Sequence, residues 1–380
     1  MTGPEDIGET EAFPGKDLTQ PFRNPCRRHA RPLSFLLYTA LYCLLGGISF
    51  STAYVQANAA TVWLPTGFAI GLLLARGTGL WPAVSLGSFL LNAGVNLVAR
   101  DGLSLAGAGV VALCIAAGNT LDALIGADLA RRFSGGRNFL MSPRGLITFA
   151  IIVAPLAALA SASIGVAASW FGGITTPGGL LEGALTWYVA NAVGILMFTG
   201  PTILLLEGRI SRPRPARIPE ALLLLACLIF VSQAISGIYL ADALNGWVKS
   251  YMVIPLLFWA SFRFGISGAL SSAVIVVAVS TIGTLRGFQV FSAETPSRSL
   301  LYLQIFLAML SLMALSIAAT RAQVTQLQAN LEARVRDRTA EVESLLKEKE
   351  VFTTVVAHDL QSPLYGVRNA LRAAVDAVAQ

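Results

Sequence analysis

Apolar residues in this chain do not alternate with charges; they come in long runs. Ten runs stand out, at about 33–55, 59–75, 79–98, 104–130, 144–170, 182–206, 219–240, 249–263, 266–284 and 299–320. A helix needs about 20 mostly apolar residues to cross a bilayer, and most of these runs qualify. The second and eighth are short, and the second contains Pro65. The pattern changes after Thr320. Between Glu332 and Lys349 stand nine arginines, lysines and glutamates, flanking an apolar stripe of Val324, Leu327, Leu331, Val335, Val342 and Leu345. Steps of three, four, four and seven approximate a heptad seam with a stutter near Val335. The spacing predicts a continuous helix that leaves the last span and pairs in a parallel homodimer.

Composition agrees. Hydrophobic residues make up 55% of the 380 residues and charged residues 13%, against roughly 25% charged in a soluble domain. So few charges cannot coat a soluble surface of this size, and the exterior facing lipid must be apolar. The fold class this predicts is all-α: a polytopic transmembrane bundle of about ten spans with a charged helical tail. The divisions are a polar, disordered tail over 1–32, the membrane domain over 33–320, a coiled coil over 321–350 and a final helix over 351–380. The net charge of +6 is mostly arginine, and in a membrane protein it reads as orientation, not nucleic-acid binding. With the N-terminal tail inside, the inner positions hold Arg27, Arg28, Arg31, Arg76, Arg131, Arg132, Arg137, Arg144, Arg209, Arg212, Arg214, Arg217 and Arg263. The other side holds only Arg100, Lys249, Arg286 and Arg298. Ten crossings then leave both termini cytoplasmic. Cys26, Cys43, Cys114 and Cys227 are scattered and form neither a metal-type spacing nor a disulfide framework; no metal is expected.

Polar residues inside the runs are the candidate chemistry. Asn92 and Asn96 share a helix face, as do Asn119 and Asp122. Asn191 follows Trp187 by four. Intramembrane asparagines serve as interhelical hydrogen-bond glue, whereas an ionisable residue such as Asp122 is a functional candidate by default. Asp128 stands beside Arg131 and Arg132 and is expected to pair there. The strings Trp63-Leu-Pro65-Thr-Gly67, Trp81-Pro82 with Leu86-Gly87 and Asn92, Gly118-Asn119-Thr-Leu-Asp122, Trp187-Tyr188 through Gly194 to Pro201, and Pro255-Leu-Leu-Phe-Trp259 with Arg263-Phe-Gly265 occur in this order. Together they resemble the membrane-integral sensory domain MASE1 over roughly 33–320. The resemblance implies bacterial signal input at the inner membrane and makes Trp63, Asn92, Asn119, Asp122, Trp187 and Asn191 the ligand-sensing candidates. Members often carry an acid where this chain has Asn191, so a charged role does not transfer there.

The stretch Phe352-Thr-Thr-Val-Val-Ala-His358-Asp359-Leu360-Gln-Ser362-Pro363-Leu364 holds one of the two histidines; the other, His29, lies in the basic N-terminal tail. On a helix, Phe352, Val355, Val356, Leu360 and Val367 form an inward side and His358 faces out. Pro363 removes a backbone hydrogen bond and bends the helix. The string resembles the phosphoacceptor box of the sensor histidine kinase dimerisation domain (HisKA), of which 351–380 would be the first helix. The resemblance implies that His358 is the phosphoacceptor, that Asp359 orients or deprotonates it, and that Ser362 holds the place of a residue positioning water for phosphatase activity. Gln361 stands where many members have Arg. An imidazole with its pKa near 6.5 is a usable nucleophile at neutral pH. ATP and Mg²⁺ are expected for the full kinase but not as ligands of this chain, which has no Gly-rich phosphate loop in its cytoplasmic part. The expectation is a piece of a longer kinase, inactive alone, whose partners are a second copy, a response-regulator receiver domain and the bilayer. The competing readings are a kinase-less signalling scaffold and a secondary transporter. No clear internal repeat supports the transporter.

Overall fold

The computed structural model describes residues 32–51, 53–54, 59–99, 104–173, 180–210, 213, 215–236, 250–285 and 296–378. The apolar runs become α1 (Pro32–Ser51), α2 (Leu64–Arg76), α3 (Trp81–Ala99), α4 (Leu105–Phe133), α5 (Pro143–Phe171), α6 (Leu180–Glu207), α7 (Ile218–Ser236), α8 (Val253–Leu285) and α9 (Pro296–Val378). Among the described residues, eight helices are long and apolar enough to cross a membrane, and α2 is shorter. The all-α polytopic expectation holds.

α2 starts later than its apolar run. Residues 53–54 and 59–60 pair as a two-residue antiparallel ladder, with Ala53 opposite Ala60. The helix begins only where Pro65 occupies its first turn, a position where a missing N–H costs nothing. Ser49 Oγ accepts from the Leu64 amide at 3.1 Å, and the Trp63 amide donates to Ala190 O at 3.1 Å. At about 1.5 Å per residue, 13 residues reach only about 20 Å. Every residue from Pro65 to Ala75 is buried, so this short helix and its irregular approach are wrapped in protein, the condition under which non-helical backbone is tolerated at membrane depth.

The eighth and ninth apolar runs are two arms of α8, folded at Gly265 (φ 63°, ψ −149°). A side chain on Gly268 would lie 2.5 Å from Ala260 O. Residues eight apart in a straight helix are about 12 Å apart, so the arms double back. Only glycine takes this torsion without strain.

α2 lies at the centre, against α6 and α4; α3, α5 and α1 surround them. Glycines set the spacing. A side chain on Gly67 would strike Gly194 O and Phe198, and one on Gly194 would strike Trp63 O. Such close approach supplies packing in a medium where no hydrophobic effect drives helices together. α7, α8 and the start of α9 form a second group, joined through α9 to α6. α9 runs unbroken for 83 residues, through the last span and the charged tail.

The arginine bias has a structural counterpart. Arg76 donates to Leu206 O at 2.7 Å and Arg131 to Leu73 O at 2.8 Å. Arg137 and Arg209 both reach Glu207, and Arg132 pairs with Asp128 at 2.8 Å. Arg263 pairs with Glu220 at 2.7 Å. These groups gather at one end of the bundle, while Arg298 opens α9 at the other. Arg27, Arg28, Arg31, Arg100, Arg212, Arg214, Lys249 and Arg286 lie outside the described residues, as do the 1–31 tail and Cys26.

Candidate functional site

Five helices contribute to a buried row of hydroxyls and amides. Thr66 Oγ1 on α2 donates to Asn191 Oδ1 on α6 at 3.1 Å. Asn191 Nδ2 donates to Ser161 Oγ on α5 at 3.1 Å. Ser161 Oγ donates to Asn119 Oδ1 on α4 at 2.6 Å, and Asn119 Nδ2 donates to Ser88 Oγ on α3 at 2.9 Å. Asn92 Nδ2 closes the row on Ser88, donating to its backbone carbonyl at 2.8 Å. All six residues are buried. Asn119 and Asn191 each use carbonyl and NH₂ on different helices, so the row fixes helix registry.

Three sequence candidates, Asn92, Asn119 and Asn191, therefore belong to one network. Asp122 lies one turn beyond Asn119 and is fully buried. Neither carboxylate oxygen has a hydrogen-bond partner among the described residues. Tyr42, whose ring lies where a side chain on Gly87 would go, is also fully buried, and its hydroxyl has no hydrogen-bond partner among the described residues. A partnerless carboxyl in the interior of a membrane bundle is costly, which makes it a functional candidate by default. Trp63 stacks edge-on against Phe50 with ring centroids 5.0 Å apart, at the start of α2. Trp187 covers Gly165, where no side chain would fit. The two tryptophans thus flank the row without joining it.

Sequence reasoning missed Thr66, Ser88, Ser161 and Tyr42. Hydroxyls are common in apolar runs and announce nothing alone. The spacing of Ser88 to Asn92, one turn apart on one face, is the signal that could have found one of them.

The second candidate site lies far along α9. His358 is 81% exposed, and its Nδ1 stands 3.5 Å from Asp359 Oδ1. Pro363 lies inside the helix, which continues to Val378; the Ser362 side chain lies outside the described residues. Phe352, Val355, Val356, Leu360 and Val367, expected on an inward side, are all exposed in the single chain. The imidazole is accessible to an incoming group, with the Asp359 carboxylate beside it. Among the described residues no cluster of three or more His, Cys, Asp or Glu could hold a metal ion.

The MASE1 family model matches residues 32–323. No curated protein and no solved structure matches the chain.

Proposed function

Because the chain belongs to the MASE1 family, a membrane sensory domain typical of signalling proteins, we propose that it is the input half of a membrane sensor histidine kinase. In this reading the bundle receives the signal, α9 carries it, and His358 accepts phosphate in a homodimer at the cytoplasmic side of a bacterial inner membrane. The observation that supports the reading is the unbroken helix from the last span to His358. A conformational change at the bundle has a continuous backbone on which to reach an exposed imidazole beside a carboxylate.

The chemistry follows from those two residues. One ring nitrogen of His358 attacks the γ-phosphorus of ATP in line; the N–P bond forms as the bond to the ADP oxygen breaks. Asp359 accepts a hydrogen bond from the other ring nitrogen and holds the tautomer whose free lone pair attacks. A separate nucleotide-binding domain would hold ATP and Mg²⁺, and the metal would supply charge neutralisation at the phosphates. An aspartate of a response regulator then takes the phosphoryl group, breaking the N–P bond. Sensing falls to the buried row and to Asp122, with Trp63 and Trp187 at its flanks, because a ligand that exchanges hydrogen bonds with this row must shift helices that share it.

The test supplies a nucleotide-binding domain in trans with γ-labelled ATP. Wild type takes up label, and His358→Ala takes up none. Equal labelling of both would end the kinase reading. A protein that never labels, yet signals in cells, is the scaffold.

A further inference from the structure

Where α9 leaves the bundle, Arg217, Arg263 and Arg321 lie near one another, with the single carboxylate of Glu220 bound by Arg263. Arg263 Nε donates to both oxygens of Glu220, at 2.7 and 2.8 Å, and Trp259 Nε1 donates to one of them at 3.1 Å. Glu220 is thereby occupied. Arg217 also acts on Glu220 electrostatically, and Arg321 feels both Arg217 and Arg263 as like charges. Neither Arg217 nor Arg321 makes a salt bridge among the described residues. The Arg321 guanidinium is held 5.2 Å over the Phe262 ring. Three positive charges against one negative leave the cluster at +2.

Like charges so placed repel one another, and an anion among them relieves that repulsion. The wall beneath them says which anion. Phe258 and Phe262 are stacked, with centroids 5.8 Å apart, and are 51% and 56% exposed. They are exposed along an apolar helix, and Phe262 lies directly under the Arg321 guanidinium. A soluble anion has no use for that surface. A lipid places its phosphate among the arginines and its acyl chains along the rings.

We propose that Arg217, Arg263 and Arg321 form a headgroup site for an anionic phospholipid, with Phe258 and Phe262 as its acyl-chain wall. The site joins the turn before α7 to α8 and α9. Its α9 member, Arg321, is the first residue beyond the last apolar run, so a bound lipid fastens the start of the tail helix to the bundle. This does not depend on the kinase reading.

The experiment uses the purified full chain with phosphatidylglycerol or phosphatidylcholine, read by native mass spectrometry. Wild type retains phosphatidylglycerol preferentially. Arg217→Gln/Arg321→Gln loses that preference by about tenfold or more, from two headgroup-level charges. Arg321→Lys keeps most of it. A photo-crosslinking residue at position 262 in an otherwise wild-type chain captures phosphatidylglycerol over phosphatidylcholine, and this arm stands even if the double variant does not fold. Equal retention by wild type and double variant, or equal capture of both lipids, overturns the proposal. Displacement of the bound lipid by millimolar inorganic phosphate also overturns it, because that assigns the site to a soluble anion.

Discussion

α9 is one helix in two surroundings, and comparing its halves separates sequence from context. In the bundle half, Leu300, Leu303, Leu307, Leu310 and Ala314 are buried against neighbours. In the tail half, Val324, Leu331, Val335, Val342 and Leu345 are all exposed. Leu327 apart, the two sets keep one heptad phase. Leu300, Leu307, Ala314, Val335 and Val342 are spaced by sevens or multiples of seven, as are Leu303, Leu310, Val324, Leu331 and Leu345. The face that packs inside the membrane continues outward with nothing against it. In lipid an apolar face carries no penalty and helices need close packing or hydrogen bonds to associate. In water the same face is itself the driving force. The bundle is therefore held by glycines and amides, and the tail would be held by leucines and valines in a dimer.

Four changes test this contrast, from largest effect to smallest. Gly67→Leu drives a side chain into Gly194 O and Phe198, and overpacking of this kind costs about 1–3 kcal/mol or more. The expected result is loss of a monodisperse species in detergent; an unchanged thermal midpoint would show that α2 and α6 are not packed as described. Leu331→Glu with Leu345→Glu should abolish disulfide cross-linking between cysteines placed at position 335 of two copies while leaving the bundle's melting unchanged. Melting that falls with the cross-link would mean that tail and bundle fold as one unit. Asn119→Ala removes bonds to Ser161 and Ser88 and should cost about 1–2 kcal/mol, at the upper end for membrane hydrogen bonds. A value indistinguishable from zero would make the row incidental. Asp122→Asn replaces a buried carboxyl that has no hydrogen-bond partner by a neutral amide of the same size, so stability should not fall. If signalling changes while stability does not, Asp122 is functional; if stability collapses, it has a structural partner.

The membrane half was legible because bilayer thickness sets a length that apolar runs must meet. The division between residues 263 and 266 was visible for a related reason, since Arg263 and Gly265 interrupt one apolar stretch. The start of α2 was not visible. The run 59–75 is apolar throughout, and only its pairing with residues 53–54 and the Ser49 cap, both set by tertiary contact, decide that helix begins at Leu64. The candidate site was half legible. Asparagine and aspartate stand out in apolar runs because their burial is costly, so Asn92, Asn119, Asp122 and Asn191 were found. Serine and threonine can bond their own helix four residues back, as Thr120 does to Ala116 O at 2.6 Å. Nothing local distinguishes Ser161, which bridges two asparagines, from Ser163, which bonds only Leu159 O. His358 was found by its neighbours in sequence, and the structure adds its exposure and its distance from Asp359.

The unbroken course of α9 turns the tail into a protractor. Each residue turns the helix by about 100° and advances it by about 1.5 Å, so His358 stands roughly 57 Å past Thr320 at a fixed azimuth to the bundle. Deleting one residue between 324 and 345 would swing the imidazole by about 100°, to another side of the rod. Deleting seven would turn it through about 700°, within about 20° of its starting azimuth, and draw it roughly 10 Å nearer the membrane. The tail can thus be shortened by seven residues, or by eleven, with its output within about 20° of the same azimuth, whereas removal of one, two or five points the histidine elsewhere.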